Sequence, residues 1–160
     1  MTTPATADLC DRHGHEVRVL APGLLDLGGV ASFSGLVTTL RVSEDNARVR
    51  AVLSEPGSGR VLVIDGGRSL RCALVGGTLA TLAATNGWGG IIVWGAVRDV
   101  PELLAARIGI RALATCPRAA AKTGTGERDV RVHVSGVTFA PGQWVAADAD
   151  GIVVADGPLT

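Results

Sequence analysis

Hydrophobic residues follow two patterns along this chain. In the first part, short apolar runs that predict buried strands alternate with segments whose apolar residues recur at helical spacing. The predicted strands cover residues 35–42, 61–65, 91–94 and 108–113. The predicted helices cover residues 5–14, 78–86 and 101–106, with one more between Asp45-Asn46 and Pro56-Gly57.

The last part of the chain has a different pattern. Residues 130–134 alternate apolar and charged side chains, which is typical of a half-exposed strand. Further short apolar segments, separated by turns, follow at residues 137–139, 144–145 and 152–154. Helices that alternate with strands, followed mainly by strands, predict an α/β protein. Because the sequence contains neither an internal repeat nor a linker, we expect one domain over residues 1–160.

Composition and charge narrow the range of partners. The formal net charge at pH 7 is zero, which argues against a nucleic acid or an anionic membrane held by bulk electrostatics. Hydrophobic residues make up 47% of the chain and charged residues only 19%. Part of the apolar surface is therefore expected to be covered by neighbouring subunits.

Cysteines and the N-terminal sequence indicate the compartment. Cys10, Cys72 and Cys116 are widely spaced and form no CxxC pair, so we expect reduced thiols rather than disulfides or a zinc site. The N-terminal residues lack the basic and apolar regions of a secretory signal. No apolar run approaches the roughly 18 residues of a spanning helix. These features predict a soluble cytoplasmic protein.

Candidate chemistry is concentrated in two segments. Gly76 and Gly77 form a turn at the start of the predicted helix, where the backbone N–H groups of residues 77–79 would face an anion. Arg98 and Asp99 follow the next predicted strand. A helix of about 13 Å and a returning strand of roughly 16–20 Å would bring both segments to one level.

Two interpretations are open at this point. The arrangement could seat a small carboxylate, with Arg98 as a bidentate contact and Asp99 as an oxygen ligand for Mg²⁺ or Mn²⁺. It could equally be a tight strand–helix turn beside a solvated Arg–Asp pair, since short motifs match often by chance.

A resemblance that extends over nearly the whole chain favours the first interpretation. Matching segments occur in order at residues 33–35, 44–46, 61–66, 73–76, 95–99, 108–110, 126–130, 136–142 and 148–152. In these segments the chain resembles the family named for the regulator of ribonuclease E activity A (RraA), which also contains 4-hydroxy-4-methyl-2-oxoglutarate aldolases.

The resemblance implies a compact α/β/β sandwich like the phosphohistidine (swivelling) domain, assembled as a ring-shaped homotrimer with sites between subunits. It also implies that the backbone of Gly76, Gly77, Thr78 and Leu79 binds a pyruvate-type carboxylate. Arg98 would contact the substrate as the catalytic residue, and Asp99 would hold the divalent metal. The implied reactions are cleavage of 4-hydroxy-4-methyl-2-oxoglutarate to pyruvate and decarboxylation of oxaloacetate.

One position departs from the aldolase pattern. Aldolase members carry an acidic residue where this chain has Gly77. The spacing of Gly77, Arg98-Asp99 and Glu102 resembles regulator-type members, which bind and inhibit ribonuclease E. The alternative function is therefore that of a non-catalytic regulator. Methyltransferase activity, with which some relatives have been labelled, has no support because no strand is followed by a GxGxG-type turn and a downstream acidic residue.

Overall fold

The computed structural model describes residues 2–160. Four α-helices occupy Thr6–His13 (α1), Ala47–Leu53 (α2), Gly77–Thr85 (α3) and Val100–Ala105 (α4). Twelve strands accompany them: Val17–Val19 (β1), Leu25–Asp26 (β2), Phe33–Arg41 (β3), Val61–Asp65 (β4), Ala73–Val75 (β5), Gly90–Val97 (β6), Gly109–Thr115 (β7), Glu127–Arg128 (β8), Val132–Val134 (β9), Val137–Phe139 (β10), Trp144–Asp148 (β11) and Gly151–Ala155 (β12).

Ten of these strands form one mixed sheet, in the order β1-β12-β11-β3-β4-β6-β7-β2. β5 is paired parallel to the end of β6, and β8 is paired antiparallel to β3. β3 joins the two halves of the sheet because residues 33–36 pair antiparallel with β11 while residues 37–41 pair parallel with β4. β9 and β10 form a separate hairpin.

The parallel half of the sheet is covered on both faces. Leu62 and Ile64 of β4 belong to the core cluster that includes the apolar sides of α2, α3 and α4. Val61 and Val63 of the same strand pack in a second cluster with residues of β9–β12, among them Phe139. A strand buried on both faces has a continuous apolar sequence rather than an alternating one, which explains the run over residues 61–65.

The structure confirms an α/β domain with the predicted order of helices and long strands. It adds four short strands that the sequence pattern did not predict, β1, β2, β5 and β8. None has more than three residues, which is too short to show a period. No helix within residues 2–160 is long and apolar enough to cross a membrane.

The fold places the ends of two parallel strands side by side. Ala73 and Val75 of β5 are register partners of Ala96 and Val97 of β6. The chain leaves β5 through Gly76 into α3, and it leaves β6 through Arg98 and Asp99 into α4. Both segments of candidate chemistry therefore lie at the carboxyl end of the sheet, where α/β proteins bind ligands.

Candidate active site at the ends of β5 and β6

The two candidate segments are in direct contact. The Gly77 N–H donates to Asp99 Oδ2 at 2.9 Å, and the Arg98 N–H donates to the Val75 carbonyl at 3.0 Å. The structure thus brings Arg98 and Asp99 to the start of α3, as the element lengths predict. One detail differs from the sequence prediction, because the Gly77 N–H already has an intramolecular acceptor. The helix itself provides no partner for the N–H groups of Thr78 and Leu79.

Gly76 permits this close approach. A Cβ at Gly76 would lie 2.7 Å from Asp99 Oδ2 and 3.3 Å from Arg98 Cγ, both closer than the ordinary contact distance of about 3.5–4.0 Å. The glycine is therefore required by the space that the Arg98 and Asp99 side chains occupy beside it. Its φ of −127° is open to any residue.

The space beside Gly77 is filled by the side chain of Glu102. A Cβ at Gly77 would lie 2.7 Å from Glu102 Cδ and 2.8 Å from Glu102 Cβ, with Oε2 nearer still. Glu102 is in the first turn of α4, which Asp99 begins. Because Gly77 has no side chain, the Glu102 carboxylate of α4 can reach the start of α3.

Asp99 has an unusual backbone conformation. Its φ of 65° and ψ of 46° place it in the left-handed region, which costs a non-glycine residue energy and is most accessible to Asp and Asn. This conformation turns the chain from β6 into α4 within two residues. Its carboxylate remains 40% exposed, and Arg98 Nε lies 4.0 Å from Asp99 Oδ2.

Arg98 is held in place by the segment that follows β7. One of its guanidinium nitrogens, Nη1, donates to the Pro117 carbonyl at 3.3 Å. The side chain is 40% exposed, so part of the guanidinium remains open to a ligand. The same segment continues to Ala120 and Lys122, which form part of the wall of a cleft that Gly76 also lines.

These groups surround a cleft of about 90 Å³. Its lining residues come from α2, β5, α3, the β6–α4 turn and the segment after β7: Asn46, Arg50, Ala73, Gly76, Thr78, Leu79, Arg98, Asp99, Ala119, Ala120 and Lys122. Three cationic side chains therefore face a cleft that has Asp99 as its one acidic lining residue. Such an arrangement favours a small ligand with more than one negative charge.

Arg50 and Lys122 are lining residues that the sequence reasoning missed. Arg50 lies four residues after Asn46 along α2, so the two share a helix face. Lys122 is the sole lysine among the chain's 15 Lys and Arg residues, and this could have marked it as a candidate site residue. Its position in a polar loop gave no indication of what it faces, because only tertiary contacts decide that.

The donor atoms fit a hard divalent cation bound largely by water. Asp99 and Glu102 present carboxylates to the same Gly76–Gly77 turn, and carboxylate oxygens suit Mg²⁺ and Mn²⁺. Among residues 2–160 there is no cluster of three or more His, Cys, Asp or Glu side chains arranged as a metal site. Remaining ligands would have to be water or substrate, as is common for Mg²⁺.

A wider cavity elsewhere does not share this chemistry. It measures about 590 Å³ and is lined by the 19–24 loop, Arg111 and the β11–β12 turn. Arg111 is already neutralised there by Asp26, with Nη1 2.9 Å from Oδ1. The smaller cleft is the better candidate because three cations and the Asp99 carboxylate converge there beside the N–H groups of the first turn of α3.

Comparison with known proteins gives a consistent result. A protein of Burkholderia multivorans, named "Putative 4-hydroxy-4-methyl-2-oxoglutarate aldolase", is 55% identical over 163 residues, covering 99% of each chain. A protein of the same name from Paraburkholderia phytofirmans is 56% identical over 160 residues, covering 97% of this chain and 98% of its own.

Solved structures match equally well. The RNA-processing inhibitor RraA from Thermus thermophilis superimposes with a TM-score of 0.95 at 47% identity, over 99% of this chain and 96% of that one. A Geobacillus kaustophilus protein described as an S-adenosylmethionine: 2-dimethylmenaquinone methyltransferase gives 0.95 at 44% identity, over 98% and 97%. The RraA-like family, described as Aldolase/RraA, matches residues 6–154. This chain belongs to the RraA-like family.

Proposed function

We propose that this protein is a divalent-metal-dependent lyase that cleaves 4-hydroxy-4-methyl-2-oxoglutarate to pyruvate, decarboxylates oxaloacetate, or does both. The observation that carries this proposal is the convergence of two carboxylates and a guanidinium on the Gly76–Gly77 turn. Relatives of 51–56% identity named as aldolases of this type support it.

The substrate's 1-carboxylate would lie at the start of α3. The N–H groups of Thr78 and Leu79 point out of the first helical turn, where the helix dipole also favours an anion. Arg98 would bind the 2-oxo group and stabilise the negative charge that develops on its oxygen. Gly76 and Gly77 would leave room for the Arg98, Asp99 and Glu102 side chains beside that carboxylate.

The other two cations indicate a dicarboxylate. Arg50 and Lys122 line the same cleft as Arg98, and one carboxylate at the helix start does not require three positive charges. In oxaloacetate the second carboxylate is the group that leaves as carbon dioxide, whereas in 4-hydroxy-4-methyl-2-oxoglutarate a second carboxylate lies beyond the bond that breaks and is retained. Arg50 and Lys122 would hold that group and orient the scissile bond.

Asp99 and Glu102 would hold the divalent metal, Mg²⁺ or Mn²⁺. When bound, the metal would supply a positive charge that stabilises an enolate. Because the Glu102 carboxylate reaches the position beside Gly77, it would replace the acidic side chain that aldolase members carry at that position. The site would then keep this carboxylate, supplied by Glu102 instead of by the residue at position 77.

The bond changes follow from these positions. In 4-hydroxy-4-methyl-2-oxoglutarate, a proton leaves the C4 hydroxyl, the C3–C4 bond breaks, and its electron pair forms the enolate of one pyruvate. C4 becomes the carbonyl carbon of the second pyruvate, its former hydroxyl oxygen forming the C=O, and a proton returned to C3 completes the first. In oxaloacetate the same bond breaks with loss of carbon dioxide. Glu102, which does not line the cleft itself, would accept the hydroxyl proton through one water.

We further propose that the protein is a cytoplasmic homotrimer with a phosphohistidine-like α/β/β architecture. The groove between α3 and α4, lined in part by Ala84 and Ala105, begins at Glu102, and the neighbouring Leu104 is 52% exposed. A second copy covering this groove would shield the cleft from water. Light scattering after size-exclusion chromatography would give the mass of the assembly.

A pyruvate-release assay tests the activity. Wild-type protein is incubated with each substrate, with Mg²⁺ and after chelation, and Asp99→Ala serves as the variant. We expect metal-dependent turnover that Asp99→Ala abolishes. If neither substrate yields pyruvate with metal present, the lyase proposal is wrong.

The alternative function is regulation of an RNA-degrading enzyme of the ribonuclease E type. The 47% identity to a protein described as an RNA-processing inhibitor supports it. A pull-down with purified ribonuclease E, followed by a cleavage assay, distinguishes the two functions. Binding and inhibition that persist in Asp99→Ala would favour the regulator, because that function does not need the metal ligand.

A further inference from the structure

Asp45 is a buried carboxylate beside the cleft that the proposed mechanism does not use. It is 1% exposed and lies between β3 and α2, immediately before Asn46, which lines the cleft. A buried charge is costly unless it is fully hydrogen-bonded. The hydrogen-bond donors around Asp45 therefore show which segment of the chain it holds in place.

Most of those donors come from the segment after β7. Thr123 donates to Asp45 Oδ2 through both its N–H at 2.6 Å and its hydroxyl at 2.5 Å. The Gly124 N–H donates to Oδ1 at 3.2 Å, and the Ala47 N–H donates to the same oxygen at 3.1 Å. The Thr123 hydroxyl, above all, lowers the pKa of Asp45 to about 2.

The residues on either side of Asp45 bind the same segment and the strand below it. The Asn46 N–H donates to the Ala121 carbonyl at 2.9 Å, and the Ala121 N–H donates to the Glu44 carbonyl at 3.0 Å. The Asn46 side chain donates to the Leu74 carbonyl at 3.2 Å. Residues 44–46 thus connect the wall at residues 119–124 to β5, two residues before Gly76.

Lys122 lies between the two points of attachment. Ala121 before it is bridged to Asp45 through the backbone, and Thr123 after it is held by the Asp45 carboxylate. The Lys122 ammonium is 3.4 Å from the Ala120 carbonyl, a bond too long to fix it on its own. The backbone attachment therefore sets where this cation stands.

We propose that Asp45 is a positioning residue that holds the 119–124 wall so that Lys122 faces the distal carboxylate of the substrate. Asp45 itself does not touch the substrate. The inference rests on the proposed function for its substrate, but the attachment of the wall is independent of it.

The chain provides a matched control for the test. Asp148 accepts bonds from a threonine N–H and from the same threonine's hydroxyl, both from Thr6 at 2.7 Å. It lines the wider cavity and none of the cleft. Asp148→Asn removes an equivalent carboxylate without touching the 119–124 wall, so it separates a general loss of stability from a loss of positioning.

The experiment measures kcat and KM for 4-hydroxy-4-methyl-2-oxoglutarate, whose distal carboxylate keeps its charge throughout the reaction, in Asp45→Asn, Lys122→Met, the double variant and Asp148→Asn. An anchor that binds ground state and transition state equally well affects KM rather than kcat. We expect Asp45→Asn and Lys122→Met each to raise KM about 10-fold while kcat changes less than about 3-fold. The double variant should be no worse than Lys122→Met, and Asp148→Asn should keep the wild-type KM.

Amide hydrogen exchange gives a readout that does not depend on turnover. Asp45→Asn should increase exchange in residues 119–124 and leave the other strands protected. Three results would overturn the proposal while the lyase function stands. They are additive effects in the double variant, an unchanged KM in Asp45→Asn, and a raised KM in Asp148→Asn. If wild-type protein does not turn this substrate over, the Kd of 4-hydroxy-4-methyl-2-oxoglutarate itself, measured with Mg²⁺, replaces KM. If Asp45→Asn leaves that Kd unchanged, the proposal is overturned. If Asp45→Asn weakens binding, and the double variant with Lys122→Met binds no more weakly than Lys122→Met alone, the proposal is supported.

Discussion

Replacing Gly77 by aspartate should reduce activity, even though it introduces the acidic residue of the aldolase pattern. The added Cβ would lie 2.7 Å from Glu102 Cδ and 2.8 Å from Glu102 Cβ. The carboxylate can rotate away, but Glu102 Cβ is fixed to the backbone of α4. The substitution therefore displaces either Glu102 or α4 as a whole.

The expected loss of stability is moderate because opposing terms partly cancel. Crowding of this kind costs about 1–3 kcal/mol. Aspartate in the first turn of α3 returns about 0.3–1 kcal/mol from the helix dipole, and removing a helical glycine returns roughly 0.5 kcal/mol more. At about 2–4 °C per kcal/mol for a chain of this size, the melting temperature should fall by no more than about 9 °C.

Activity separates the variants more clearly. Pyruvate release, coupled to lactate dehydrogenase with Mg²⁺ present, should fall at least about 10-fold in Gly77→Asp, because two carboxylates then compete for one place. Glu102→Ala alone should fall similarly, and Glu102→Gln serves as its isosteric control. The double variant Gly77→Asp/Glu102→Ala should recover to within about 3-fold of wild type. If Gly77→Asp alone matches or exceeds wild type while the double variant is inactive, Glu102 does not replace the missing acid.

Three further predictions concern the neighbouring groups. Asp99→Asn should lower metal-dependent pyruvate release at least about 100-fold while the Gly77 N–H keeps an acceptor, so circular dichroism should show an intact fold. Gly76→Ala should raise KM and lower kcat, because its Cβ would press on Asp99 Oδ2 at 2.7 Å; wild-type kinetics would contradict the assigned space. Asp45 has a pKa lowered from 3.8 to about 2 in the folded state, so its contribution to stability is present above pH 3.8 and lost as pH falls toward 2. Urea titrations across that window should show a shallower loss of unfolding free energy in Asp45→Asn than in wild type, and parallel curves would refute this.

The sequence by itself determined much of the architecture. The apolar run at residues 61–65 predicted β4 with its exact bounds, because a strand buried on both faces needs no polar alternation. The lengths of α3 and β6 were enough to bring Arg98 and Asp99 back to the Gly76–Gly77 turn. β5, with three residues, was missed because a strand that short has no measurable period.

Only the tertiary structure shows the consequence of having glycine at position 77. In the sequence it is the absence of an acid, which supports loss of the aldolase function. In the fold, the left-handed turn at Asp99 starts α4 at an angle that brings the Glu102 carboxylate to the place a side chain at Gly77 would occupy. The same holds for Lys122, whose position depends on Asp45, 77 residues earlier in the chain. Local sequence patterns predict helices and strands because these elements depend on residues that are close together in the sequence. Which side chains share a cleft depends on contacts between residues far apart in sequence, and no local period records these.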